Sequence, residues 1–214
     1  MIYIEMEHED SGSRDQEEIL TVCALNAQLK SSYDRLYWLV NEDATRDAFF
    51  STLNTAMGAC PVVDLYIVAH GGMQYFWGHF NDRVYVDDIL GLGSFPGMNR
   101  LCFVYIGSCH SWDLTDEFLE SGADCAIGSD STMDNFPFLF LFADAFARLG
   151  YSVEDAYRRS IPLYGLFRIN GDRGLTMEPE NVTALLVRAN VNLARSKPSE
   201  ARAITRPSRE TSTG

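Results

Sequence analysis

Two short apolar runs constrain the fold of this chain more than any other feature. Residues 64–69 and 101–106 are rich in β-branched and aromatic side chains, and a glycine follows closely after each run. Short runs of this kind that are bounded by glycine are typical of buried strands. We therefore expect both runs to be strands inside an α/β sheet.

The rest of the sequence alternates between strand-like and helix-like segments. Further strands are predicted at residues 2–6, 36–40, 125–129 and 164–169. A hairpin piece is predicted at residues 77–80, and a turn at Asn170-Gly171. Helices are predicted at residues 13–29, 43–57, 86–90, 111–121, 138–149, 152–161 and 182–194. This alternation predicts a three-layer α/β sandwich, in which about six mostly parallel strands are flanked by helices.

One predicted helix carries an apolar stripe at helical spacing. Its members are Phe138, Leu141, Phe142, Ala145, Phe146 and Leu149. Side chains at these intervals share one face of a helix, so we expect all six to face the core.

Size and charge limit the classes of function that this chain can have. Its 214 residues, 46% of them hydrophobic, suit one globular domain over residues 1–194. The formal net charge of −13 argues against binding of nucleic-acid phosphates. Residues 195–214 are rich in Arg and Ser and poor in large apolar residues, which predicts a disordered basic tail.

Neither a signal peptide nor a membrane-spanning segment is visible in the sequence. Its start lacks a basic segment followed by an apolar one, which a signal peptide needs. The most apolar stretch, residues 136–149, is interrupted by Asp144 and is too short to span a bilayer. No Cys-x-x-Cys pair is present, and Cys23, Cys102 and Cys125 resemble small buried apolar residues. We therefore expect a reducing compartment, the cytoplasm, with no membrane contact.

A histidine and a cysteine follow the two apolar runs. His70 lies in Ala69-His70-Gly71-Gly72, and Cys109 lies in Gly107-Ser108-Cys109-His110-Ser111. Ligands of open α/β sheets bind at the carboxyl ends of the strands, so an imidazole and a thiol at one edge predict a Cys–His dyad. The Gly71 and Cys109 amides, the latter at the head of a predicted helix, would form an oxyanion hole if the two strands are neighbours.

Each of the two strings also has an ordinary explanation. A cysteine after a strand is often simply packed, and a His-Gly-Gly turn is often only a turn; their equivalent positions on consecutive strands favour the dyad. His79, near Trp77, is a candidate substrate contact. No ligand spacing supports a metal site built from the His and Cys side chains of this region.

These strings resemble those of the caspase-like cysteine peptidases, a group that includes caspases, metacaspases, gingipains and CHAT peptidases. Its members share a strand ending in His-Gly and a later strand ending in Ser-Cys or Ala-Cys, which correspond to His70-Gly71 and Ser108-Cys109. Residues 108–111 are close to the metacaspase nucleophile motif, and residues 171–175 resemble the closing motif of CHAT and gingipain-like members. The likeness covers about residues 1–178.

The resemblance implies a cysteine endopeptidase that cleaves protein or peptide substrates through an acyl-enzyme intermediate. His70 would be the general base and Cys109 the nucleophile, and the amides of Gly71 and Cys109 would form the oxyanion hole. It implies neither a metal nor an organic cofactor. We expect a single uncleaved chain, because the stretch after Cys109 is too short for a caspase-style cleavage linker.

The same resemblance suggests a partner. Family members often work beside sensor or repeat domains, and this sequence begins almost at its first predicted strand. A domain of that kind would therefore belong to a separate protein or to a segment missing from this sequence.

The sequence departs from the metacaspase pattern at one informative position. Gly107 stands where metacaspases carry an Asp that helps to bind a basic P1 side chain. Asp130 and Asp134, just past the predicted strand at 125–129, are the candidates for a pocket that would take such a side chain instead.

Two alternatives of other classes stay open. The first is a catalytically silent caspase-like module that acts in protein–protein interaction or regulation, which Gly107 favours. The second is an unrelated doubly wound domain that binds a small ligand. The absence of a Gly-x-Gly-x-x-Gly turn after the first strand argues against this second alternative.

Overall fold

The computed structural model describes residues 2–5, 23, 25–40, 43–79, 82–132, 136–160, 167–177 and 182–185. The described strands are β1 (Ile2–Glu5), β2 (Trp38–Val40), β3 (Val62–Ala69), β4 (Gly71–Gly72), β5 (Tyr75–Trp77), β6 (Arg83–Tyr85), β7 (Leu101–Gly107), β8 (Cys125–Ser129), β9 (Phe167–Gly171) and β10 (Val182–Leu185). The described helices are α1 (residues 25–30), α2 (Arg46–Ala59), α3 (Val86–Gly91), α4 (Trp112–Glu120), α5 (Phe136–Ala143) and α6 (Val153–Ser160). A π-helical turn, Asp144–Arg148, continues α5.

Seven of the described strands form the central sheet. Their order is β2–β1–β3–β7–β8–β9, and β10 also pairs with β3. Every described pair in this sheet is parallel except β8 with β9. The predicted α/β class with a mostly parallel sheet is therefore confirmed.

The helix predicted at residues 182–194 is wrong over its described part, because residues 182–185 form β10. β3 is eight residues long, and β1 pairs only with its carboxyl half, Tyr66–Ala69. β10 pairs with the amino half, residues 62–65, and so satisfies backbone groups that would otherwise be left without partners on that edge. Tertiary pairing thus overrides the local helical pattern. Residues 186–214, including the predicted tail, lie outside the described residues.

Helices cover both faces of the sheet. On one face, Phe103 of β7 stacks on Phe142 of α5, with ring centroids 5.4 Å apart. Cys125 lies opposite Phe103, and Gly128 is three residues further on, so Gly128 belongs to the other face. There β8 approaches α4 so closely that a Cβ added at Gly128 would lie 2.8 Å from Thr115 Cγ2. The three predicted layers are present.

Stacked aromatic rings fill the space between α5 and the sheet. Phe138 lies 4.1 Å from Phe167, and Phe142 lies 5.5 Å from Phe146, between ring centroids. All four side chains are at most 1% exposed.

The predicted six-residue stripe is only partly correct. Leu141 is 40% exposed and Leu149 is 49% exposed. The buried rings repeat every four residues, which leaves Leu141 to one side of their face. The π-helical turn then adds a residue, because the Leu149 N–H bonds to the Asp144 carbonyl five residues back at 3.0 Å. This extra residue turns Leu149 away from the core.

Other predicted elements are confirmed with shifted ends. The side chain of Thr45 caps α2 by accepting a hydrogen bond from the Ala48 N–H at 3.2 Å, and α2 continues through Gly58 to Ala59. The hairpin piece expected at residues 77–80 is instead a three-stranded antiparallel sheet of β4, β5 and β6. In the part of the chain that the structure describes, no helix combines the length and apolar character needed to cross a bilayer.

Two further predictions are only partly correct. Asn170 and Gly171 were expected to form a turn, and they instead end β9, with Gly171 at a φ of 87°. Cys125 is buried as expected, whereas Cys23 is exposed.

One carboxylate is buried in the sheet. Asp64 of β3 is 3% exposed, and its Oδ2 accepts a hydrogen bond from the Tyr33 hydroxyl at 2.9 Å. The Tyr33 hydroxyl lies 2.8 Å from that of Tyr66. Burial raises the pKa of Asp64 to about 6, because the charged form loses hydration, and the Tyr33 hydrogen bond opposes this effect.

Phe138→Ala should lower the free energy of unfolding by about 3–5 kcal/mol, because it opens a cavity among the stacked rings. Leu141→Ala, on the same helix at an exposed position, should change it by no more than about 0.5 kcal/mol. Urea denaturation of both variants measures the two values. Equal losses would mean that Leu141 packs against the core as the stripe predicted.

Asp64→Asn should remove one pH dependence of stability. Burial raises the pKa of Asp64 from its ordinary value of 3.8 to about 6 in the folded chain. The folded state therefore holds the proton more tightly, and stability falls as pH rises through this interval. The unfolding free energy of the native protein minus that of Asp64→Asn should fall by roughly 3 kcal/mol across it. Urea denaturation at several pH values tests this, and a difference that stays constant or rises would contradict it.

Candidate active site

The two predicted catalytic residues follow neighbouring strands. β3 and β7 pair in parallel, with Val68 opposite Gly107. His70 and Cys109 therefore each lie two residues beyond this last pair, on strands whose axes are about 4.8 Å apart. His70 is exposed and Cys109 is partly exposed. The expectation that the two strands are neighbours is confirmed, so both residues belong to one edge of the sheet.

The residues next to these two are in close contact. Ser108 is fully buried, and a Cβ added at Gly71 would overlap its hydroxyl oxygen. The same Cβ would lie 2.6 Å from the Tyr75 carbonyl oxygen. Only glycine fits at this position. Strand β4, which follows His70 directly, is therefore packed against the turn that carries Cys109.

The turn that carries Cys109 is not the start of a helix, contrary to the prediction. α4 begins at Trp112 with Ser111 as its N-cap residue, so Cys109 lies three residues before the helix. His110 has a φ of 54°, a left-handed conformation that is uncommon outside glycine and concentrates at functional sites. The Cys109 amide therefore belongs to a tight turn, outside the first helical turn where the helix dipole acts most strongly.

Hydrogen bonds hold this turn against β7 and β8. The Ser111 hydroxyl donates to the Ile106 carbonyl at 2.9 Å and accepts from the Ser129 N–H at 3.1 Å. The His110 N–H donates to the Ser131 carbonyl at 3.1 Å. Because it is bound from two strands, the turn keeps the left-handed residue in place and fixes the position of Cys109 at the sheet edge.

Asp130 lies beside this turn, but its carboxylate is already engaged. Its Oδ2 accepts a hydrogen bond from Arg168 on β9, whose guanidinium lies 5.6 Å from the centroid of the Trp112 ring. The Asp130 carbonyl oxygen lies 3.2 Å from His110 Nδ1. A basic substrate side chain would have to compete with Arg168 for this carboxylate. Asp134, the other predicted pocket residue, lies outside the described residues.

His79 is not presented at the surface, contrary to its expected contact with substrate. Its side chain is 6% exposed, and its backbone N–H donates to the Ala44 carbonyl at 2.9 Å. Across the described ranges, no three His, Cys, Asp or Glu side chains are grouped so that they could hold a metal ion.

Two features of this region escape sequence reasoning. Arg168 has no local signal, because its partner Asp130 is 38 residues away in the chain. The second feature is the link between the site and the small sheet of β4, β5 and β6. The backbone N–H of Trp77 donates to the His70 carbonyl at 2.8 Å. The run of three aromatic residues, Tyr75, Phe76 and Trp77, is the signal that would have placed a strand there, because aromatic side chains favour strands.

Gly71→Ala should destabilise the protein by about 1–3 kcal/mol, since the added methyl overlaps Ser108 and crowds Tyr75. Gly58→Ala is the matched control, because a Cβ at Gly58 meets nothing within 4 Å. On α2 that control should stabilise the fold by up to about 1 kcal/mol. Urea denaturation compares the two variants, and equal stability would contradict the close approach at Gly71.

Comparison with known proteins places the fold. No protein-family model and no curated protein sequence match this chain. Among solved structures, the chain is similar to the Arg-specific cysteine proteinase gingipain R, with a TM-score of 0.51 and 12% sequence identity. The match covers 83% of this chain and 46% of the gingipain R chain, so it spans less than half the length of that protein. At this identity the likeness concerns the fold alone: the chain has an α/β fold similar to the caspase-like fold of gingipain R, with a mostly parallel central sheet flanked by helices.

Proposed function

We propose that this protein is a cysteine endopeptidase that cleaves protein or peptide substrates through Cys109 and His70. The observation that carries the proposal is the pairing of β3 with β7, because it brings a thiol and an imidazole to the same sheet edge, each two residues past the pair Val68–Gly107. The likeness in fold to a cysteine proteinase supports it.

The proposed reaction has two steps. His70 takes the proton of the Cys109 thiol, and the thiolate attacks the carbonyl carbon of the scissile bond. The carbon–nitrogen bond then breaks, the leaving amine receives the proton from His70, and a thioester remains on Cys109. In the second step His70 deprotonates water, which attacks the thioester, releases the new carboxyl terminus and restores the thiol.

The backbone amides of Gly71 and Cys109 are the proposed donors to the oxyanion. The first belongs to strand β4 and the second to the turn after β7, and these two segments pack against each other through Gly71 and Ser108. Donors fixed before the reaction stabilise the developing charge without a cost of reorganisation. The left-handed residue His110 and its hydrogen bond to Ser131 hold the second turn in place.

The acidic residues after β8 bear on the P1 preference. Gingipain R is Arg-specific, and a basic P1 residue would suit a pocket formed by Asp130 and Asp134. In this chain Arg168 already binds Asp130, so a basic side chain would have to displace it. The substrate library should therefore carry basic, acidic and apolar residues at P1.

Incubation of the purified protein with a fluorogenic peptide library tests the proposal. We expect cleavage that falls by roughly a thousand-fold or more in Cys109→Ala and in His70→Gln, because the nucleophile and its base act as one unit. A peptidyl acyloxymethyl ketone should label Cys109, as located by peptide mass mapping.

Two matched variants guard this test. Cys23→Ala removes an exposed cysteine that is distant in sequence from Cys109, and this variant should cleave as the native protein does. His110→Asn removes the neighbouring imidazole while keeping a residue type that tolerates a positive φ. Cleavage that is retained in this variant and lost in His70→Gln would identify His70 as the base. Cleavage that survives Cys109→Ala would overturn the proposal. Absence of both cleavage and labelling would instead favour a silent module that uses the same fold for protein interaction.

A further inference from the structure

The small sheet beside the candidate site has one buried and one outward face. β5 and β6 are antiparallel, and the residues opposite each other are Tyr75–Tyr85, Phe76–Val84 and Trp77–Arg83. Opposite residues share a face of the sheet. Phe76 and Val84 are fully buried, so the remaining four side chains lie on the outward face. We call these four the aromatic platform: Tyr75, Trp77, Arg83 and Tyr85.

Two aromatic rings hold the guanidinium of Arg83. Its Cζ lies 4.6 Å from the centroid of the Tyr75 ring and 4.7 Å from that of Trp77. The Tyr75 ring in turn lies 5.8 Å from that of Tyr85, which is 46% exposed. Cation–π contacts of this kind hold the guanidinium in place, and its planar fork of N–H donors matches a planar acceptor such as a carboxylate.

The described residues supply no carboxylate partner for Arg83. Two acids close in sequence are taken by Arg46 at the start of α2. The Arg46 backbone N–H donates to Asp82 Oδ2 at 2.6 Å, and its guanidinium binds Asp88 at 2.5 and 3.0 Å. In a chain with a net charge of −13, Arg83 is therefore a cation that two aromatic rings hold and that pairs with none of the described carboxylates.

The platform is joined directly to His70. The backbone N–H of Trp77 donates to the His70 carbonyl at 2.8 Å. On the adjoining strand, Gly72 lies opposite Tyr75, and a Cβ at Gly72 would lie 3.2 Å from Tyr75 Cε1. An extended peptide advances about 3.3 Å per residue, so a substrate in the candidate site reaches the platform within a few residues of its scissile bond.

We propose that the aromatic platform binds an Asp or Glu side chain of the substrate, a few residues from the bond that is cut. The N–H edge of Arg83 takes the carboxylate, and the rings of Trp77 and Tyr85 pack against its methylene groups. This inference rests on the proposed function, since it names the class of peptide that the His70–Cys109 site receives.

A glutamate scan of a cleaved library peptide tests the inference. One position should show about tenfold higher kcat/KM with Glu than with Gln, a size that one charge-assisted contact can supply. Arg83→Gln should abolish this preference. Arg35→Gln removes the same charge at an exposed arginine before β2 and should preserve it. Arg83→Lys should restore only part of it, because lysine lacks the planar fork.

A binding measurement separates the platform from the chemistry. Fluorescence anisotropy with the Cys109→Ala protein compares matched Glu and Gln peptides; if no peptide is cleaved, the pairs are taken from peptides that this variant retains from the library. We expect the Glu member to bind about tenfold more tightly, and Arg83→Gln in the same background to equalise the two.

The two proposals fail in different ways. Equal affinities for the Glu and Gln peptides, or a preference that persists in Arg83→Gln, would overturn the platform even if cleavage depends on Cys109. Absence of Cys109-dependent cleavage, with the Arg83-dependent preference intact in binding, would overturn the peptidase and leave the platform standing. Thermal melts monitored by circular dichroism confirm that each Arg83 variant is folded.

Discussion

The parallel pairing of β3 with β7 is the constraint on which the rest of the structure depends. Both strands are almost wholly buried, and a slip of one residue would turn every side chain to the opposite face. The register is therefore strongly determined. It sets Val68 against Gly107, and the positions of His70 and Cys109 follow from that single pair. The contact between Gly71 and Ser108 is a consequence of the same register.

At the site, a rigid sheet supports a strained turn. The strands that lead into it carry fully buried side chains, whereas the turn after β7 contains His110 in a left-handed conformation. Strain of this kind persists only where surrounding contacts over-determine the backbone. Here Ser111 ties the turn to the Ile106 carbonyl and to the Ser129 amide. The position of the thiol thus depends on β8 as much as on β7.

Local patterns predicted the strands well and the packing of α5 poorly. The strands after which His70 and Cys109 lie were recognisable because β-branched and aromatic residues act within a few positions of one another. The stripe on α5 was correct for Phe138, Phe142 and Phe146 but wrong for Leu141 and Leu149, since a π-helical turn changes the helical phase. β10 was mistaken for a helix because its partner, the amino half of β3, is more than a hundred residues away.

The sequence by itself determined the α/β class and which two reactive side chains follow buried strands. Only the tertiary structure decided that those strands are neighbours, that Cys109 lies in a turn ahead of α4, and that Arg168 engages Asp130. It also decided that Trp77 and Arg83 lie on one face beside His70. The physical reason is the separation along the chain between the residues that interact. Strand propensity is set by adjacent residues, whereas hydrogen bonds and ion pairs across a sheet join residues that are brought together only by strand order and register.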